Sequence, residues 1–100
     1  MSPGDDTPQP YPSLVPRLSE FYGIAVYMYW NDHEPAHFHA IYGGDEALVR
    51  IDDGVLLAGS LPRTAARLVQ EWRLLHREEL AADWQRARAF EPLNPIEGLR

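Results

Sequence analysis

The stretch Ala47-Leu48-Val49-Arg50-Ile51-Asp52-Asp53-Gly54-Val55-Leu56-Leu57-Ala58-Gly59-Ser60, followed directly by Leu61-Pro62-Arg63, decides the fold. Two apolar runs flank Asp52-Asp53-Gly54, and Asp-Gly between such runs is a strong hairpin signal because both residues tolerate turn conformations. Pro62 then opens a helix, where its missing N–H costs nothing. Upstream, Gly43-Gly44-Asp45 turns the chain after His37 to Tyr42. That segment alternates, with Phe38, Ala40 and Tyr42 on one face and His37, His39 and Ile41 on the other. Trp30 to Pro35 forms a loop. From Phe21 the pattern is again strand-like, with Ile24, Val26 and Met28 opposed to Ala25, Tyr27 and Tyr29. Four strands joined by short turns predict an antiparallel meander.

At 100° per residue, Leu61, Ala65, Leu68, Val69, Trp72 and Leu75 share one helical side, while Arg63, Arg67, Gln70 and Arg77 share the other. A straight continuation would turn Glu79 and Asp83 onto the apolar side. A break near His76 to Glu78 is therefore predicted, with a second helix built on Leu80, Trp84 and Ala87. Pro92, Asn94 and Pro95 end regular structure. The expected fold class is α+β: a four-stranded antiparallel meander packed on one face by two C-terminal helices. Residues 1–16, which contain Pro3, Pro8, Pro10, Pro12 and Pro16, read as a disordered proline-rich tail. Residues 17–91 read as a single domain and 92–100 as a C-terminal tail.

With 100 residues and 45% hydrophobic content, the chain is long enough for one folded domain with a modest core. It has no cysteine, which excludes disulfides, thiolate nucleophiles and cysteine-bound zinc. All nine basic residues are arginine, so lysine Schiff-base chemistry and a P-loop lysine are excluded. The net charge of −6 opposes general attraction to nucleic acid. No apolar run reaches the ~20 residues of a membrane span. A soluble, cytoplasmic protein without membrane association is expected.

Asn31-Asp32-His33-Glu34-Pro35-Ala36-His37-Phe38-His39-Ala40 gathers three of the four histidines. His37 and His39, two apart in a strand, point to one side about 6.6 Å apart at the backbone, within reach of one metal ion. With His33 they form a candidate ligand set for a divalent metal such as Zn or Mn. Asp32, Glu34 or Glu46 is available as a carboxylate ligand. A coordination position left open to water would support hydrolysis by a nuclease or phosphoesterase. No other cofactor is expected. Metal-free acid/base catalysis would pair His37 or His39 with Glu34 or Asp32. Asp32 and Glu34 also suit loop building, since short acidic side chains bond turn amides and Glu34-Pro35 enters the strand extended. Tyr27, Tyr29, Trp30, His37 and His39 offer an aromatic surface for a protein partner, a second copy or RNA. Arg63 and Arg67 lie on an exposed stripe that suits phosphates or an acidic partner, or simple solvation with an Arg67 to Glu71 pair. Ser60 reads as support for the helix start.

The chain resembles a family of small bacterial proteins catalogued as domain of unknown function 4160. The resemblance rests on Ser19-Glu20-Phe21-Tyr22-Gly23-Ile24, Met28-Tyr29, Asn31 to Ala40, Gly59-Ser60-Leu61-Pro62-Arg63, Glu71-Trp72, His76-Arg77-Glu78-Glu79-Leu80 and Trp84. Ala36 stands where that family often has a second proline. The resemblance implies a setting in two-gene cassettes of the toxin-antitoxin kind, and brings no catalytic residues with it. The leading expectation is a small interaction module, one half of such a pair, that binds the product of an adjacent gene. The alternative is a metal-dependent hydrolase using His33, His37 and His39.

Overall fold

A computed structural model describes residues 16–100. The sheet has five strands: β1 (Arg17–Phe21), β2 (Ile24–Tyr27), β3 (His37–Tyr42), β4 (Asp45–Arg50) and β5 (Leu56–Gly59). All neighbours are antiparallel and spatial order follows chain order. Two helices follow, α1 (Arg63–Leu75) and α2 (Arg77–Arg88). The expected proline-rich tail lies, Pro16 apart, outside the described residues.

The α+β class and the antiparallel meander stand, but the four-strand expectation is corrected to five. β1 escapes a period-two reading because its register slips: Arg17 faces Tyr27 while Ser19 faces Val26, leaving Leu18 as an extra residue. Such a bulge breaks alternation, so Leu18, Ser19 and Phe21 are all buried. The β1–β2 turn is Tyr22-Gly23, with φ of 51° and 80°. Positive φ at both central residues matches the twist of a two-residue hairpin.

Ile24, Val26, Phe38, Ala40, Ala47 and Val49 are fully buried beside Val69 and Trp72 of α1. Trp72 stacks on Phe21 with ring centres 5.3 Å apart and meets Phe38 edge-on at 5.6 Å. Each such large apolar side chain contributes roughly 1.5–3 kcal/mol on burial. α1 and α2 part at His76, whose φ of −121° leaves the helical region. The break rotates α2 so that Leu80, Trp84 and Ala87 turn inward and Glu79 stays exposed, but Asp83 is buried with them, against the expectation that the break would keep it off the apolar side. Trp84 lies 5.4 Å from the His37 ring, next along β3 to the Phe38 that meets Trp72. Ser60 supplies no side-chain cap to α1; its amide bonds the Glu46 carbonyl instead.

Residues 92–100 carry neither helix nor strand, yet Leu93 and Ile96 are buried. The Ile96 amide bonds the Leu18 carbonyl at 2.8 Å, and the Asn94 amide bonds Asp83 Oδ1 at 2.8 Å. This strap runs beside β1. No helix among the described residues is long and apolar enough to cross a membrane.

Candidate metal centre

Asp32 builds the loop that feeds β3. Its Oδ2 accepts the Tyr29 amide at 3.1 Å while its own amide bonds the Tyr29 carbonyl. Such reciprocal bonding is how short acidic residues set turns. The loop is fastened further by Arg88, which donates to the Asp32 carbonyl, and by Trp84 Nε1, which donates to Glu34 Oε2 at 3.1 Å.

The same Asp32 carboxylate faces the histidine pair. Asp32 Oδ2 is 3.2 Å from His39 Nε2 and 3.7 Å from His37 Nε2, and the rings of His37 and His39 are centred 5.3 Å apart. His37 Nδ1 is 2.8 Å from the Pro35 carbonyl and His39 Nδ1 is 2.9 Å from Glu46 Oε2. The Pro35 carbonyl only accepts, so His37 Nδ1 carries its hydrogen, and in the neutral imidazole His37 Nε2 is a lone pair directed at Asp32. His39 has a carboxylate at each ring nitrogen, Glu46 at Nδ1 and Asp32 at Nε2. Asp32 Oδ2, His37 Nε2 and His39 Nε2 share one space, a donor set of the kind that holds a divalent metal. Side-chain exposures of 15% for Asp32, 13% for His39 and 8% for His37 leave the cluster mostly buried, with limited access to solvent.

Among the described residues, Asp32, His37 and His39 are the group of potential ligands whose donor atoms lie within 4.8 Å of one another. His33 is exposed and stands outside that group. Glu46 holds His39 from behind, the arrangement in which a carboxylate fixes the tautomer and raises the basicity of a metal-binding histidine. The sequence carries a signal for this contact, because the two-residue turn Gly43-Gly44 sets Ile41 opposite Glu46 and so places Glu46 diagonal to His39. The Trp84 and Arg88 supports come from distant sequence and have no local signal.

Tyr29 meets His39 edge-on at 4.8 Å and stacks on Tyr27 at 6.1 Å. Burial, then the charge of Glu46, pushes the Tyr29 phenol above its ordinary value. Trp30 is committed elsewhere, its Nε1 donating to the Glu91 carbonyl at 2.9 Å. Arg63 and Arg67 are exposed on α1, and Arg67 pairs with Glu71 at 2.9 Å.

A family model described as Domain of unknown function (DUF4160) matches residues 23–85. The chain belongs to this family. The matched part of the DUF4160 domain runs from the β1–β2 turn into α2 and contains the whole Asp32, His37, His39 and Glu46 cluster. β1 and the C-terminal strap lie outside it. No curated protein and no solved structure matches the chain.

Proposed function

We propose that this DUF4160 domain binds a divalent metal through Asp32 Oδ2, His37 Nε2 and His39 Nε2, and uses it to hydrolyse a phosphoester such as RNA. The observation that carries the reading is the convergence of one carboxylate and two imidazole ligand atoms within 4.8 Å of one another, with the far nitrogen of each ring held by the Pro35 carbonyl or by Glu46. Two histidines and one carboxylate suit Zn, Mn or Fe(II) and leave coordination positions for water. A bound metal lowers the pKa of its water to about 7 in the best zinc case, giving a nucleophile at neutral pH. Its charge also offsets the Asp32 and Glu46 carboxylates, which would otherwise repel a phosphoester in a chain of net charge −6. The test is elemental analysis of tag-free protein after equilibration with Zn or Mn. One ion per chain is expected, lost in His37→Ala and His39→Ala while the fold persists by circular dichroism. Sub-stoichiometric metal in the wild-type protein sinks the reading. Loss of cleavage of a model phosphodiester or single-stranded RNA on chelation, with recovery on metal return, tests the hydrolase step separately.

A second reading is favoured by the half-buried Tyr27, Tyr29, Ile41 and Leu48 around the cluster. An aromatic and aliphatic sheet face of this kind suits a protein partner. In that reading the domain is a cytoplasmic interaction module that binds the product of an adjacent gene in a toxin-antitoxin-like pair. Co-expression with that product, and loss of the complex in Tyr27→Glu, is the supporting result; absence of a complex at micromolar concentrations counts against it.

A further inference from the structure

The two borders of the sheet are treated differently. β1 has the strap beside it, through the Ile96 amide bond to Leu18 and the close approach of Gly98 to the Glu20 carbonyl. Beyond β5 no further strand pairs among the described residues. A border strand presents unpaired N–H and C=O groups, and folded proteins usually guard it with charge, proline or a covering segment. Val55 to Ser60 contains neither charge nor proline. All four residues of β5 are exposed, with Leu56 at 42% and Leu57 at 37%, and Val55 just before them at 46%. Among the described residues the one guarding device is a bulge: Leu48 faces Ala58 and Val49 faces Leu56, leaving Leu57 unpaired.

We infer that β5 is the docking edge for a second copy of this chain, paired antiparallel about a two-fold axis near Leu57. Charge placement selects this occupant and this direction. The paired segment is neutral, so two acidic chains meet there without like charges facing each other. Asp52 and Arg63 lie at nearly equal chain distances on either side of Leu57. Both are exposed, and neither enters an ion pair among the described residues. An antiparallel two-fold sets the Asp52 end of each copy against the Arg63 end of the other, twice per dimer, whereas a parallel pairing sets the two Asp52 ends together. Opposite charges across an interface fix register and direction. Self-pairing of one patch is also the isologous contact that closed dimers use. The bulge keeps the ladder short and the contact small, so the dimer is a weak, concentration-dependent one. The inference stands apart from the metal reading, since β5 supplies no ligand to the cluster.

Sedimentation equilibrium of the full chain, from micromolar to millimolar concentration, reads the result. A reversible monomer–dimer equilibrium is expected. Leu57→Lys sets like charges across the axis and raises the dissociation constant about tenfold or more, with an unchanged circular dichroism spectrum. Arg63→Asp alone weakens the dimer, and Asp52→Arg added to it restores association; an acid at the first residue of α1 suits the helix N-terminus, so folding is spared. A chain that stays monomeric across the range overturns the inference, including the case in which an extended segment of another protein then adds to β5. So does a dimer indifferent to Leu57→Lys and to the charge exchange.

Discussion

The indole Nε1–H of Trp72 donates to the backbone carbonyl of Glu97 at 2.8 Å, so the centre of the core is joined to the last residues of the chain. Trp72 is fully buried against Phe21 and Phe38, and Leu93 and Ile96 are buried in the same segment that contains Glu97. Removal of residues 92–100 is expected to cost about 3–5 kcal/mol, the transfer value of two large aliphatic side chains plus lost hydrogen bonds. Trp72→Phe is expected to cost about 2 kcal/mol from the lost bond and lost ring volume. Urea denaturation of both variants checks this; an unchanged midpoint on truncation would show that the strap contributes nothing.

Glu46 touches the candidate centre only through His39 Nδ1, and its side chain is half exposed. Glu46→Ala is therefore expected to weaken metal binding by about 10- to 100-fold with little change in folding stability. Glu46→Gln, which keeps an acceptor oxygen, recovers most of that loss. Titration calorimetry with Zn separates the two; equal affinity in wild type and Glu46→Ala would exclude a supporting role.

Asp83 is fully buried. Its Oδ1 takes both Arg86 and the Asn94 amide, and its Oδ2 has no partner among protein groups. Burial outweighs those bonds and raises its carboxyl above the ordinary value. A raised carboxyl binds its proton more tightly in the folded than in the unfolded state. Its contribution thus favours folding at low pH and declines as pH rises from the ordinary carboxylate range through the raised value. Asp83→Asn stays neutral throughout. The melting temperature of Asp83→Asn minus that of wild type is expected to increase between about pH 4 and about pH 7, as read by scanning calorimetry. A flat difference would show that Asp83 keeps the same protonation state in both forms.

Gly59 combines φ of 73° with a backbone neighbour: a Cβ there would overlap the Glu46 carbonyl oxygen and sit 3.2 Å from Ala47 Cα. No side-chain rotation relieves such a clash. Gly59→Ala is expected to cost about 3 kcal/mol or more. Gly43 also has positive φ, 59°, but open space around it, so Gly43→Ala should cost only about 1–2 kcal/mol. Paired thermal melts give the comparison, and equal losses would mean that backbone conformation, not contact, sets the cost.

What the sequence reveals divides along physical lines. The Asp-Gly hairpin, the His37 and His39 pair on one side of β3, and the helix break at His76 follow from local periodicity, and the structure has all three. The fifth strand was hidden by the Leu18 bulge, since an extra residue erases the alternation by which strands are recognised. Asp32 reads from sequence as a turn former, and it is one; that its carboxylate also reaches the two imidazoles depends on how the loop folds back. Trp84 and Arg88 secure that loop from fifty and fifty-six positions away, a relation no local pattern encodes. Leu93 and Ile96 lie among prolines, where short spacing conceals their burial.

The strap beside β1 also limits growth. A sheet with two open borders adds copies at both ends and extends without limit, the route to fibres. Here the chain's own last residues lie along one border, so the strand addition proposed at β5 would end after a single event, and an assembly built that way would close at two.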